Sequence, residues 1–199
     1  MLFEQHCESC AGDGYPLCSN CQARLSSSAR PPDTCLRNVV VRAAFVYEGV
    51  ARDVVLALKQ RRSSALATLL ANELLSRLDP DDVDMVTWAP TSRLHIRERG
   101  HDQARLLATS LSRRLGVRLH RSLVREGNRA QRGLSRRDRL DGPTFMASPF
   151  VRGKRILVID DVVTTGATLT AACECLVAVG ASSVACMAVA ATPEPTPIR

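Results

Sequence analysis

Two adjacent carboxylates, Asp160 and Asp161, follow four apolar residues at 156–159 and precede a short run rich in hydroxyls, with Thr164, Thr165 and Thr168 around Gly166. Carboxylates in that position accept hydrogen bonds from sugar hydroxyls or hold Mg²⁺ through oxygen ligands. They would repel a phosphate. The Thr-rich run suits one instead: its hydroxyls donate, Gly166 lets the backbone come close, and the first N–H groups of a following helix have no intrahelical partner. A sugar phosphate, with a diol at one end and a phosphate monoester at the other, satisfies both halves. The plain alternative is a turn followed by a helix cap.

A second constellation lies near the N-terminus. Cys7-x2-Cys10 and Cys18-x2-Cys21 form two knuckles with seven residues between them. Four thiolates so paired can hold one tetrahedral Zn²⁺ at Zn–S distances of about 2.3 Å. The gap is shorter than the roughly 12–20 residues usual between such knuckles, and reduced free thiols or a redox pair are the alternatives. So small a module cannot bury a core, and a metal would supply its folding energy. Cys35 has no nearby CxxC partner, while Cys173, Cys175 and Cys186 read as small buried hydrophobes among Ala and Val. With Cys7 and Cys10 where the apolar part of a signal peptide would be, the expected compartment is the cytoplasm, where paired cysteines more often hold metal than form disulfides.

The net charge is +7, and 25 of the 27 basic residues are Arg, leaving only Lys59 and Lys154. From Arg93 to Arg139, 14 Arg face four acids, more positive charge than the whole chain carries. Such a segment suits polyphosphate or nucleic acid, or is a solvated face. Seven aromatic residues in 199 leave little for the stacking platforms of single-strand binders. No GxxxxGK[ST] and no GxGxxG after a strand is present, which leaves P-loop and dinucleotide sites unsupported. The 19 uncharged residues 175–193 contain Gly180 and Ser182-Ser183. They read as a helix end, a turn and a buried strand, with no membrane span.

The elements that must position these groups follow from hydrophobic period. Strands are expected over 38–47, 83–89, 117–125, 155–159 and 184–190. Helices are expected over 49–61, 65–78, 102–115 and 167–179, with 91–100, 126–142 and 160–166 as loops. The apolar run at 155–159 has the pattern of a parallel strand buried on both faces. Strand, loop, helix and strand at 155–190 make a right-handed βαβ unit. The expected organisation is a Cys-rich module and linker at 1–36, an α/β domain at 37–192 and a disordered tail at 193–199.

The segment ILVIDDVVTTGATL at 156–169 resembles the phosphoribosyl-pyrophosphate (PRPP) motif of type I phosphoribosyltransferases. Nearly the whole chain resembles the ComF family of competence-associated proteins, through the Cys pairs, YEGVARDVVLALKQR at 47–61 and APTSRLHIRERGHDQARLLA at 89–108. That family commonly has Phe and Asn where this chain has His101 and Asp102. Gln131-Arg132-Gly133-Leu134 resembles its QxxL, without the Asn that often follows.

The resemblance implies a type I phosphoribosyltransferase-like fold, with a mostly parallel central sheet flanked by helices and a small zinc-finger-like N-terminal module. It implies transfer of a phosphoribosyl group from PRPP or a related ribose phosphate, with Mg²⁺, to an acceptor, releasing pyrophosphate. Asp160 and Asp161 would bind the ribose 2′- and 3′-hydroxyls and position Mg²⁺. Val162, Val163, Thr164, Thr165, Gly166, Ala167 and Thr168 would cradle the 5′-phosphate. Pro90, Thr91, Ser92 and Arg93 would form the pyrophosphate loop, with Arg97, Arg99 and the Arg129–Arg139 loop adding positive charge. The alternative from another class is a non-catalytic PRPP- or nucleotide-sensing module that partners nucleic acid or DNA-uptake proteins in competence or repair.

Overall fold

A computed structural model describes residues 6–36, 39–79, 82–126 and 142–193. Its centre is a six-stranded sheet in the order β1-β2-β8-β7-β3-β4. The strands are β1 (Thr34–Leu36), β2 (Val39–Val46), β3 (Met85–Trp88), β4 (Arg118–Leu119), β7 (Arg155–Val163) and β8 (Ser183–Ala191). β1 pairs antiparallel with β2, and every other ladder in this sheet is parallel. A separate two-stranded hairpin joins β5 (Leu123–Arg125) to β6 (Phe145–Ala147).

The 155–159 run behaves as its composition demands. Ile156, Leu157, Val158 and Ile159 are essentially inaccessible to solvent because both faces of β7 are covered. One face packs on α2 (Gly49–Gln60), α3 (Ser64–Leu75) and α5 (Gln103–Leu115), the other on α6 (Ala167–Ala178) and the β5–β6 hairpin. α6 buries Leu169, Ala172, Cys173 and Leu176, the i, i+3, i+4, i+7 stripe of a surface helix. The N-terminal helix α1 (Ser19–Ser26) sends Cys21 and Leu25 into the same core as Val54 and Leu58 of α2. The cysteine module therefore packs directly on the α/β core.

Three expected boundaries are corrected. The strand expected to stop at 159 continues through Asp160 and Asp161 to Val163, because β8 is equally long and its ladder holds Val162 and Val163 against Ala190 and Ala191. Only 164–166 remain as loop. Residues 91–100 are not all loop: α4 (Arg93–Arg99) is capped by the Ser92 hydroxyl, which accepts from the His95 N–H, and ends at Gly100 in the left-handed conformation. The weak strand expected over 117–125 is two strands of different sheets, β4 and β5. The expected loop at 126–142 and the Gln131–Leu134 resemblance lie almost wholly outside the described residues, as does all but the start of the tail.

No helix among the described residues is long and apolar enough to cross a membrane. The uncharged stretch 175–193 is the end of α6, a turn and β8.

Candidate functional site

The connection after β3 leads through α4 and α5 to β4 on one side, and the connection after β7 leads through α6 to β8 on the other. The order in which strands are added to the sheet thus reverses between β3 and β7. Ligands bind open α/β sheets at such a switch point, outside the carboxyl ends of the strands. Trp88 is in register with Ile159, and the Ala89 N–H donates to the Ile159 carbonyl. This places the turn at 90–92 beside Asp160 and Asp161, which are more than 65 residues away in sequence.

The two carboxylates have different surroundings. Asp161 is buried, and its Oδ2 receives Lys59 Nζ at 3.1 Å and Gln103 Nε2 at 3.1 Å. Its Oδ1 accepts from the Val162 N–H at 2.7 Å. Asp160 has fewer partners: its Oδ1 accepts from the Asp161 N–H at 2.8 Å. Burial, with the neighbouring Asp161 charge added to it, pushes the Asp160 carboxyl well above the ordinary carboxylate range. Asp160 is therefore the carboxylate with capacity for a ligand, and Asp161 is anchored by α2 and α5. Gln103 Oε1 is buried and has no hydrogen-bond partner among the described residues.

Beyond β7, Thr164 and Thr165 are exposed, and Gly166 stands at the N-cap of α6 with φ 73°. No side chain caps that helix apart from a 3.4 Å approach of Thr165 Oγ1 to the Ala167 N–H, so its first turn keeps donors for an anion. Thr168 is half-buried in that turn. Val162 and Val163 lie in the β7–β8 ladder instead of in the loop, and Val163 is buried. On the β3 side, Pro90, Thr91, Ser92 and Arg93 line a cavity of about 1200 Å³, and Arg97 and Arg99 sit on the exposed α4.

Asp102 builds this corner. Its carboxylate caps α5 through the Arg105 N–H at 3.3 Å and accepts from Trp88 Nε1 at 3.2 Å and the Thr91 N–H at 3.4 Å. Burial raises its pKa against those three donors. The neighbouring His101 is buried with Nδ1 2.9 Å from the Arg99 carbonyl and Nε2 2.8 Å from that of Leu58. It ties the end of α2 to the α4–α5 junction, a polar link that Phe lacks. Asp102→Ala removes a cap and strands the Trp88 N–H, at a cost of about 2 kcal/mol, or a melting point lower by roughly 4–8 °C. Asp102→Asn keeps an acceptor and should cost less. Emission of Trp88, the single Trp of the chain, reports the change directly. Unchanged melting and emission in the Ala variant would refute this placement.

The four Sγ atoms of Cys7, Cys10, Cys18 and Cys21 lie within 4.8 Å of one another. Cys10 and Cys18 Sγ are 3.8 Å apart, the edge of a tetrahedron with Zn–S bonds of about 2.3 Å (roughly 3.8 Å). The donor set and its spacing fit a structural zinc. Gly14 permits the short gap: at φ 116°, a Cβ there would sit 2.8 Å from Cys18 Cα. Cys35 is exposed and apart from the four.

Lys59, Gln103 and Arg125 were not singled out from sequence. Lys59 carried a usable signal, being one of two lysines in an arginine-rich chain. Gln103 sits in the GHDQA segment that supports the family resemblance. Arg125, half-buried, acts electrostatically on Asp160 across a distance that no local pattern encodes.

The phosphoribosyl transferase domain family matches residues 101–197. The competence protein ComFC of Bacillus subtilis (strain 168) is 29% identical over 144 residues, which are 70% of this chain and 58% of that protein. Among solved structures, a glutamine PRPP amidotransferase from B. subtilis, complexed with ADP and GMP, overlaps 67% of this chain and 26% of its own, at 22% identity and a TM-score of 0.44. A purine phosphoribosyltransferase from Pyrococcus horikoshii Ot3 overlaps 67% of this chain and 92% of its own, at 19% identity and a TM-score of 0.41. The fold is α/β, a mostly parallel sheet flanked by helices with a small N-terminal Cys-rich module, and the part over 101–197 is phosphoribosyltransferase-like.

Proposed function

We propose that this chain, a ComF-family, phosphoribosyltransferase-like protein, binds PRPP with Mg²⁺ at the β3/β7 crevice and transfers its phosphoribosyl group to an acceptor. The observation that carries this reading is the meeting of three chemistries at one switch point. A ligand-ready carboxylate, Asp160, stands between an uncapped helix N-terminus at 166–168 and a turn at 90–93 that ends in Arg93.

In this arrangement the α6 N–H groups and the hydroxyls of Thr164, Thr165 and Thr168 hold the 5′-phosphate. Asp160 accepts from the ribose diol, and Asp161, fixed by Lys59 and Gln103, sets the course of β7 beneath it. Asp160 also supplies the hard oxygen that Mg²⁺ prefers, and the ion when bound would offset charge on the pyrophosphate. The bond from the anomeric carbon to the acceptor forms as the bond to pyrophosphate breaks. Pyrophosphate leaves with the electron pair, and the acceptor releases its proton. Arg93 and Arg125 stand where negative charge grows on the leaving group, and stabilising such charge in a site shielded from water is the largest single contribution a protein makes.

A second reading, binding without turnover in competence, is favoured by the histidines. His101 faces two carbonyls, His120 Nδ1 faces Ser122 Oγ while its ring lies tilted against Phe150, and His95 lies on the exposed α4. None is disposed as a general base toward Asp160. The name of the competence protein ComFC points the same way.

Calorimetric titration with PRPP, with and without Mg²⁺, tests binding, and pyrophosphate release over a panel of acceptors tests turnover. PRPP is expected to bind only with Mg²⁺. Gly166→Val places a β-branched side chain at a positive φ where the phosphate must approach. PRPP and sulfate should both weaken at least about tenfold, the loss of one charge-assisted hydrogen bond or more. A folded Gly166→Val protein that binds PRPP like the parent would remove the phosphate assignment.

A further inference from the structure

The cavity of about 1200 Å³ that the 90–93 turn borders extends well past the crevice, along the solvent face of α5. Six guanidinium groups line it: Arg62 from the α2–α3 connection, Arg93, Arg105 and Arg113 from α4 and α5, and Arg121 and Arg125 around β5. The acids on its wall are Asp102 and Glu126, and Asp102 is already engaged by three N–H donors. None of the six arginines forms an ion pair among the described residues. Four arginines elsewhere are paired. Arg30 pairs with Glu73, Arg42 and Arg77 with Asp33, and Arg155 with Asp84. Others among the described residues, such as Arg24, Arg52 and Arg152, also lack an ion pair, and what sets the six apart is that one hollow gathers them.

Like charges brought together by four segments of chain repel one another, although Arg105 also lies over the Trp88 ring at 5.7 Å from its centroid. An anion that enters relieves the repulsion and takes up planar donor forks suited to phosphate. The shape narrows the class of anion. Arg105 and Arg113 stand eight residues apart on α5, about 12 Å along its axis, so the positive charge is spread over a length that a chain of phosphates can follow. The volume is above the roughly 300–1,000 Å³ of ordinary small-molecule sites, far more than pyrophosphate fills. The lining is also partly apolar. Leu94 and Ile96 project from α4, a helix that buries none of its residues, and are 63% and 37% exposed. With Leu106 and Val124 they offer a greasy wall beside the charge.

We infer that this cavity is a second ligand site, for a nucleoside polyphosphate, with the phosphates along Arg62, Arg105 and Arg113 and the base against Leu94, Ile96 and Val124. The site adjoins the ribose-phosphate crevice, shares its 90–93 border, and does not depend on the transfer reaction. The two meet at Arg93 and Arg125, so occupancy of one is felt at the other.

The test titrates the full-length protein with ADP, with adenosine, with PRPP–Mg²⁺ and with a short single-stranded oligonucleotide, in the parent and in Arg105→Gln plus Arg113→Gln. Both side chains are solvent-exposed, and the melting point confirms that the variant folds. ADP is expected to bind the parent, adenosine at least tenfold more weakly, and the double variant should lose at least tenfold in ADP affinity. PRPP–Mg²⁺ affinity should change less than threefold, which separates this site from the crevice. Should PRPP fail to bind either protein while ADP behaves as stated, the crevice reading falls and the cavity stands. An unaltered ADP affinity in the variant overturns the proposal. So does an oligonucleotide bound a hundredfold tighter than ADP with a steep salt dependence, which would make the face a nucleic-acid surface.

Discussion

Stripping metal from the cysteine cluster is expected to unfold residues 6–36 and to carry instability into the α/β core. Structural zinc supplies about 10–16 kcal/mol in small zinc-bound units, as much as the whole stability of an ordinary domain. The effect does not stop at the module. Leu17, Cys21 and Leu25 are buried in the same core as α2, Ser9 Oγ donates to Asp53 on α2 at 3.1 Å, and Tyr15 lies 3.1 Å from Ser63, which caps α3. Protein purified without added metal should contain about one zinc per chain, and Cys10→Ser plus Cys21→Ser should abolish it. Melting should fall by at least about 10 °C, since each kcal/mol costs roughly 2–4 °C at this size. A metal-free protein that keeps its melting point, with the four thiols freely titratable in the folded state, would discard the metal centre.

The second large effect separates the two carboxylates. Asp161→Asn breaks an ion pair whose members are 24% and 9% exposed and strands Lys59, at a cost of about 3 kcal/mol, the low end for a buried pair. Its melting point should drop by roughly 6–12 °C. Asp160→Asn should behave oppositely, keeping or raising stability while PRPP–Mg²⁺ affinity falls at least about tenfold through loss of a charge-assisted contact. The pH dependence has a definite sign. Because the folded-state pKa of Asp160 is raised, the folded chain holds this proton more tightly than the unfolded chain. Its stabilising contribution is complete below the unfolded value near 3.8 and is lost as pH rises through the folded value. Asp160→Asn should therefore flatten the parent's decline in stability as pH rises from about 4. Equal losses of stability in the two single variants would contradict the division of roles.

Much of the site was legible because its chemistry is contiguous. Asp160, Asp161, Thr164, Thr165 and Gly166 belong to one strand–loop–helix unit, so residue types and the period change from strand to helix suffice to read them together. The cysteine cluster was legible for the same reason, its four thiols falling within 15 residues. The helix at Arg93–Arg99 was not legible, because it buries no residue and so shows no apolar stripe; its Ser92 cap and Gly100 stop were the only local marks. The length of β7 was misjudged at Asp160 because two acids look like the end of a buried strand, whereas the ladder with β8 carries them onward.

By itself, then, the sequence determined the local units: a closely spaced pair of cysteine knuckles, a doubly buried strand leading into two acids, and a helix whose first turn follows a hydroxyl-rich loop. These follow from side-chain type and short spacing, which act within a few residues. Tertiary structure alone decided that the turn after β3 lies beside the end of β7, and that Lys59 and Gln103 engage Asp161 and not Asp160. It also gathered arginines from four segments around one cavity. Those outcomes depend on strand order and register, set by packing of the whole sheet between its two layers of helices, and no window of sequence contains them.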